Sequence, residues 1–367
     1  MSELMISILI ISGISAFLTL LIELADFFIA NYGECRLLIN QKKNLTVKGG
    51  SPLLFTLQEE GIFIPSACGG KGTCAYCKVK ILQGGGPVLP TETPYLSKEE
   101  IQQGVRLSCQ VKVRNDLVLE IPDELLLIQE YKTRVESIID LTPIIKGIIL
   151  DIIQPDEGIV FKPGQYIQFE IPKYKRSKGP EYRAFSIASS PRENKKIKLY
   201  IGLVEKGMVS TYVHHYLKQG EEIVIRGPFG DFYYRDSNRD ILMIATGTGL
   251  APIMSLLRYM REEKIQRKAT LFFGTKTKQD LYLMDELRSL EKELPAFKYI
   301  PTLTREVEGS SWQGERGRVT VLLEKYFPEI ADSEVYICGN TNMVESCLEF
   351  FKEKNIPEDR IYFDKFT

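Results

Sequence analysis

Hydrophobic and polar positions divide the chain into four stretches of different rhythm. From Leu4 to Ile22 no residue is charged, Leu, Ile, Phe and Met dominate, and no polar face recurs. Wound as a helix, this run of nineteen residues reaches about 28 Å at about 1.5 Å per residue, close to a hydrocarbon core of about 30 Å. It predicts a transmembrane anchor over residues 1–30. A signal peptide is the alternative, but no basic region precedes the run, only Glu3, and no clear small-residue cleavage site follows it. Nearby basic residues (Arg36, Lys42, Lys43) lie only on the C-terminal side, and Glu23 and Asp26 add little. That bias predicts a single pass through the inner (cytoplasmic) membrane with the body facing the cytoplasm.

Between 31 and 124, residues 51–66 (SPLLFTLQEEGIFIPS) read as a short helix and turn. VKIL at 79–82, QVKV at 110–113 and DLVLEIP at 116–122 read as strands. From 131 to 235, segments such as YKTRVESIIDL, IKGIILDII and GQYIQFEIP are rich in β-branched and aromatic residues broken by Pro and Gly, the pattern of an antiparallel barrel. From 238 to 367 the rhythm changes again. Apolar strands ILMIAT, ATLFFGT and EVYICGN are each followed by a helical stretch, which predicts a parallel sheet with a nucleotide at its C-terminal edge.

Composition narrows the chemistry. The chain of 367 residues is 44% hydrophobic and 26% charged, with a net charge of −1, so no broad basic surface for nucleic acid is expected. There are only two histidines, His214 and His215; a histidine-ligated metal enzyme is therefore disfavoured, and both read as surface helix residues. Seven cysteines are present. Four are tightly grouped, which suits a metal site in a reducing compartment rather than a disulfide framework.

Those four are Cys68, Cys74, Cys77 and Cys109, in SACGGKGTCAYCKV and RLSCQV, spaced C-x5-C-x2-C-x31-C. Four thiolates, two per iron, are what a [2Fe–2S] cluster needs. Gly69, Gly70 and Gly72 allow the sharp turns that aim backbone N–H groups at sulfur. A structural zinc also takes four cysteines, but zinc ribbons pair two C-x2-C knuckles and only one is present. Cys35 and Cys347 read as buried thiols.

The loop Thr246-Gly247-Thr248-Gly249-Leu250-Ala251-Pro252 joins an apolar strand to a helix, where glycines admit a pyrophosphate and the helix N-terminus supplies N–H donors. Alone it is weak, since it lacks the full G-x-G-x-x-G pattern. It gains weight from the order in which RAFS (183–186), GMVS (207–210), GPFGDF (227–232), GTGLAP (247–252) and CGN (338–340) follow one another.

Together these motifs resemble the ferredoxin–NADP reductase superfamily. The resemblance implies a multidomain fold: N-terminal transmembrane helix, α+β β-grasp ferredoxin domain, antiparallel β-barrel flavin domain and α/β parallel-sheet nicotinamide-binding domain. It also implies FAD, a [2Fe–2S] cluster and NADH. In it, Arg183 pairs with a flavin pyrophosphate oxygen, Ser186 hydrogen-bonds near flavin N5, and Gly207, Val209 and Ser210 hold the FAD pyrophosphate. Phe185 stands where the family has tyrosine. Thr246, Gly247, Thr248 and Gly249 bind the nicotinamide dinucleotide, with Cys338 and Gly339 flanking the nicotinamide. Asp364 and Phe366 match an acidic residue and a flavin-shielding aromatic by their distance from the end of the chain. Ser186, Cys338, Asp364 and Phe366 are thus the expected catalytic set.

Domain order, with SACGG, the GGG-x-x-LPTE run at 84–92 and RLSCQV, is similar to the F subunit of the sodium-translocating NADH:quinone oxidoreductases. That implies an NADH dehydrogenase component that feeds a quinone-reducing membrane complex, with integral-membrane subunits as partners. Two departures stand out: a compact stretch between Ile171 and Arg183, and Asn340 where that family has proline. Two other functions compete, the reductase component of a multicomponent oxygenase or corrinoid-activating system and a zinc-stabilised interaction scaffold. NADPH instead of NADH would need a cluster of Arg and Lys near the adenine ribose, and Lys276, Lys278, Arg305, Arg316 and Arg318 are available.

Overall fold

The computed structural model describes residues 3–29, 32–177, 179–306 and 309–366, with side chains in the first segment described at residue 5 and residues 7–22. Two compact units divide it, Met1–Ile128 and Gln129–Thr367.

Helix α1 runs Glu3–Ile29. From 7 to 22 its side chains are all exposed, including Phe17 and Ile22. Among the described residues no helix is long and apolar enough to cross a membrane. The expected span at 4–22 includes Leu4 and Ile6, whose side chains, like those of Glu23 and Asp26, lie outside the described residues.

The rest of the first unit is a β-grasp fold. Strands β1 (Glu34–Ile39) and β2 (Lys43–Lys48) form a hairpin; helix α2 (Leu53–Glu59), β3 (Lys78–Gln83), α3 (Lys98–Gln102), β4 (Val105–Leu107) and β5 (Leu117–Glu120) follow, in sheet order β2-β1-β5-β3-β4. β1 runs parallel to β5. Alternation in β1 sends Cys35, Leu37 and Ile39 inward, where α2 covers them with Leu53, Leu54 and Leu57. Ser97 starts α3 with a reciprocal capping box to Glu100.

One expected strand is corrected. At 110–113 there is no strand, because the Gln110 and Val111 amides both turn back to the Leu107 carbonyl, leaving only a bridge from Lys112 to Pro52. The strand pairing falls instead on Val105–Leu107, so Cys109 sits on a turn.

The second unit begins with β6 (Gln129–Thr142), β7 (Ile145–Gln154), β8 (Tyr166–Ile171), β9 (Glu181–Ser186), β10 (Lys196–Gly202), helix α4 (Met208–His215) and β11 (Glu222–Phe229). Their antiparallel order β10-β7-β6-β11-β8-β9 is closed by a bridge from Ile187 to Leu199, which makes a barrel. Ile148, Leu150, Ile167, Phe169, Ile223 and Ile225 fill it.

The chain then alternates: β12 (Ile241–Thr246), α5 (Leu250–Glu262), β13 (Ala269–Thr275), α6 (Met284–Glu293), β14 (Phe297–Leu303), β15 (Glu315–Arg316), α7 (Val319–Ile330), β16 (Glu334–Asn340), α8 (Thr341–Glu353) and β17 (Ile361–Phe366). All pairings are parallel, in order β15-β14-β13-β12-β16-β17. β12 is buried on both faces: Ile241, Met243 and Ala245 pack in one core with α5 and α6, while Leu242 and Ile244 pack in the other with α7 and α8. The order reverses at β12–β16, so the loops after those strands form the crevice where doubly wound sheets bind ligands.

Barrel and sheet are locked together by buried polar contacts. Arg258 of α5 donates to the Ala188 carbonyl (2.6 Å), the Tyr200 hydroxyl (3.1 Å) and Glu286 (2.8 Å), and Ser255 donates to the Ser189 carbonyl (2.7 Å).

Candidate functional site

The four grouped cysteines lie in two pairs. Cys74 and Cys68 have sulfurs 3.4 Å apart, Cys77 and Cys109 have theirs 3.3 Å apart, and all four are free thiols. A tetrahedral ion with bonds of about 2.3 Å separates its sulfurs by about 3.7 Å, so each pair has the spread that one metal ion takes. Charge on one pair is felt by the other, since Cys74 acts on Cys77 and Cys68 on Cys109. Two adjoining sulfur pairs fit a two-iron cluster.

The loop is built to face sulfur. Gly69, Gly70, Gly72 and Ala75 all have positive φ. A Cβ on Gly70 would meet the Phe55 ring at 2.7 Å, and one on Gly72 the Gln110 amide at 2.6 Å. Backbone amides then converge on the thiols. A hydrogen bond from the Cys74 thiol, with help from the Thr73 and Lys71 amides, lowers Cys68. Cys77 does the same for Cys109, joined by the Gln110 side chain at 3.6 Å and the Gly72 amide. The donors Cys74 and Cys77 are raised by those same bonds and by burial. Beside Cys109, the buried Ser108 hydroxyl has no hydrogen-bond partner among the described residues, a donor left over for an acceptor in the loop.

An arginine–glutamate pair that sequence reasoning missed supports this loop. Arg106 is 5% exposed and Glu92 fully buried. Arg106 grips Glu92 (2.6 and 2.9 Å) and caps the carbonyls of Gly85, Gly86 and Pro87 at 2.8–3.0 Å. Glu92 also accepts from the Leu89 and Leu107 amides. Burial alone would raise the Glu92 carboxyl; Arg106 and the two amides overcome it and hold it below its usual range. The clues were in the sequence: the arginine lies in RLSCQV and the glutamate ends the LPTE run.

On the barrel, β9 carries Arg183, Phe185 and Ser186. Arg183 donates to the Tyr182 carbonyl at 2.6 Å and lies 3.7 Å from Glu181. Phe185 packs edge-on against Phe169, and Ser186 is buried. α4 starts beside β9 at Gly207, with no side chain capping its first turn, so its first N–H groups suit an anion. A Cβ on Gly207 would meet the Ser210 hydroxyl at 2.6 Å. Val209 faces the core, leaving only its backbone to act, and the Ser210 hydroxyl is bonded to the Val204 amide. Tyr174, on the compact stretch after Ile171, donates to the Met208 carbonyl at 2.7 Å. His214 bonds the Ile201 carbonyl at 2.9 Å and burial lowers it, while His215 is exposed.

At the sheet edge a cleft of about 620 Å³ is lined by Thr246, Gly247 and Thr248, by Asn340, and by Phe366. Its size is that of a small-molecule site. Gly249 lies behind it, where a Cβ would strike the Cys338 carbonyl at 2.1 Å; one on Gly339 would strike the Thr246 hydroxyl at 2.2 Å. Asn340 caps α8 through Met343 and donates to Thr246 at 3.2 Å. Tyr282, another residue missed in the sequence, donates to the Gly247 carbonyl at 2.9 Å. The structure brings Thr246–Thr248 and Phe366 into one cleft but puts Cys338 in the core, fully buried. Burial, then the Asp364 carboxylate opposite it on β17, pushes that thiol well up.

Comparison with known proteins agrees with this three-part layout. The 2Fe-2S iron-sulfur cluster binding domain matches residues 38–114, the oxidoreductase FAD-binding domain 132–234 and the oxidoreductase NAD-binding domain 243–349. The F subunit of the Na(+)-translocating NADH-quinone reductase of Neisseria meningitidis is 31% identical over 99% of both chains, and that of Methylococcus capsulatus 30% over the full length of both. Among solved structures, an Amycolatopsis cytochrome P450 reductase aligns with a TM-score of 0.73 over 91% of this chain and 99% of that one, at 24% identity. The ferredoxin reductase in carbazole 1,9a-dioxygenase gives 0.71 over the same shares, also at 24%. These two likenesses establish the fold.

Proposed function

The chain belongs to the family of the Na(+)-translocating NADH-quinone reductase F subunits, and we propose on that premise that NADH is oxidised in the cleft after β12, with FAD on the barrel and a [2Fe–2S] cluster at Cys68, Cys74, Cys77 and Cys109. It is an NADH-dependent FAD/[2Fe–2S] oxidoreductase. Bound FAD and the cluster supply the conversion of a two-electron hydride donor into single electrons. The chain's own residues bind, orient and exclude water. Arg183 and the first amides of α4, at Val209 and Ser210, neutralise the flavin pyrophosphate; Gly207 leaves room for it, and Ser186 and Phe185 bound the ring. Thr246-Gly247-Thr248-Gly249 and the start of α5 take the dinucleotide. Gly339 keeps the nicotinamide wall thin, and Cys338 acts by packing as a neutral thiol. Phe366 covers the cleft, with Asp364 behind it.

The assignment of domains is 1–30 anchor, 31–124 cluster, 131–235 flavin and 238–367 nicotinamide. α1 is read as a single-pass anchor in the inner membrane, with the body in the cytoplasm and integral-membrane redox subunits as partners. The uncharged run at 4–22 and the basic residues after it support that reading. Carbonate extraction of membranes tests it: the full chain should stay bound and a chain lacking residues 3–29 should be released.

The observation that carries the electron path is the pairing of four sulfurs at 3.4 and 3.3 Å within a glycine loop. Stopped-flow mixing with NADH tests it. A Cys77→Ser chain should bleach flavin at a near-normal rate yet lose at least tenfold in cytochrome c reduction. Equal loss of both signals would contradict the path.

A further inference from the structure

Thr91, the residue before Glu92 in the LPTE run, reaches a cysteine through one intervening side chain. Its hydroxyl donates to the Gln110 side-chain oxygen at 2.9 Å, and the amide nitrogen of the same side chain donates to Cys109 Sγ at 3.6 Å, a length that suits the larger sulfur acceptor. Two hydrogen bonds in series thus run from residue 91 to one of the four grouped sulfurs.

Chemistry fixes the direction of this relay. A metal-bound thiolate can only accept, whereas a glutamine amide has one donating end and one accepting end. The donating end must face Cys109, and the accepting end is then left for the Thr91 hydroxyl. Each bond polarises the amide and strengthens the other.

Three features hold the amide in place. The Gln110 backbone N–H turns to the Leu107 carbonyl at 2.8 Å, which starts the side chain beside the cysteine. Gly72 has a φ of +75°, and a Cβ there would stand 2.6 Å from the amide nitrogen, so any side chain at 72 would displace it. Thr91 is anchored by its neighbour: Glu92 is fully buried, gripped by Arg106, and its amide bonds the Leu89 carbonyl at 2.9 Å. Cys109 is itself buried, so water competes little for its sulfur. Cys68 also takes a hydroxyl bond, from Thr73, but that residue belongs to the cysteine loop. Thr91 lies on a segment that carries none of the four cysteines.

We propose that Gln110, oriented by Thr91, raises the reduction potential of the cluster through its bond to Cys109, with Thr91 as a positioning residue. The proposal rests on the four cysteines being ligands of a [2Fe–2S] cluster. Reduction brings one electron from reduced FAD, and the added negative charge is shared by the sulfurs. A donor aimed at sulfur therefore stabilises the reduced form more than the oxidised form, and reduction becomes easier.

Redox titration of the full-length, cofactor-loaded chain in detergent, followed by EPR, tests it. In Gln110→Leu the ratio of reduced to oxidised cluster at the native midpoint should fall at least threefold, a downward shift of about 28 mV at about 59 mV per tenfold. Thr91→Val should shift the midpoint the same way by less, and Thr91→Ser, which keeps the hydroxyl, should return it to the native value. The flavin midpoint should stay in place in all three. Thr91 is exposed, so its two variants decide the matter even if Gln110→Leu fails to hold a cluster. A Gln110→Leu midpoint at or above the native one, or a Thr91→Val midpoint that does not move, overturns the proposal while the cluster reading stands. If the native chain gives no EPR signal on reduction, the cluster reading fails and the proposal falls with it.

Discussion

Replacing Arg106 by methionine keeps the length of the side chain and removes its charge and donors. In the native protein Arg106 makes three bonds to Glu92, at 2.6, 2.9 and 3.2 Å, and three to the carbonyls of Gly85, Gly86 and Pro87. The variant leaves a fully buried carboxylate held, among the described residues, by the Leu89 and Leu107 amides. Removing one partner of a buried pair costs about 3–5 kcal/mol. With a urea slope of about 2 kcal/mol/M, the midpoint should fall by roughly 1.5–2.5 M. The assay is urea titration of the full chain, following cluster absorbance for the first unit and flavin fluorescence for the second. Cluster bleaching should shift by that amount and the flavin transition should stay in place, because the residue belongs to a separate unit. Adding Glu92→Leu should recover part of the loss, since the unpaired charge is then gone. A shift below about 0.5 M would show that the pair does not anchor the first unit, as would a double variant less stable than the single one.

Acid should act on the same pair. The Glu92 carboxyl is depressed in the folded chain, so its stability is present above the unfolded value of about 4.3 and is lost as pH falls through the folded value; urea midpoints between pH 7 and 3 should decline more in the native chain than in Glu92→Leu. Gly249→Ala puts a Cβ 2.1 Å from the Cys338 carbonyl; NADH-driven flavin bleaching should fall at least tenfold while bound FAD is retained. Tyr282→Phe removes the hydroxyl that holds the Gly247 carbonyl. About 1 kcal/mol of loop stability goes with it, and KM for NADH should rise several-fold with kcat nearly unchanged. Cys338 and Cys347 are both buried, the latter pushed up to about 12 by burial, so mass spectrometry after alkylation of the folded chain at pH 8 should find neither modified.

Periodicity made much of this fold legible. The all-apolar ILMIA run of β12 and the β-branched strands of the barrel leave few alternatives once Gly and Pro mark their ends. The cysteine spacing singles out four sulfurs but not which of them pair, which the 3.4 and 3.3 Å contacts supply. Short-range polarity misled at 110–113, where QVKV alternates like a strand but must turn to present Cys109, and the hydrogen bonds of Gln110 and Val111 to Leu107 decide the matter. Long-range polar contacts could be read at most as members of motifs, not as pairs. Arg106 and Glu92 meet across 14 positions, and Arg258 reaches Ala188 across 70, distances at which composition carries no signal. Cys338 was legible as a motif member, but the close approach of Gly249 to its carbonyl was not.

On the proposed reading the two sulfur pairs hold two irons joined by sulfide. Metal and acid-labile sulfide analysis of the anaerobically purified full-length chain, with EPR after reduction by NADH, addresses it directly. Two irons and two sulfides per chain and a rhombic or axial signal from one unpaired electron are predicted, all lost in Cys109→Ser. One zinc per chain, without iron and without a signal, would mean that the four sulfurs hold a structural ion and carry no electrons.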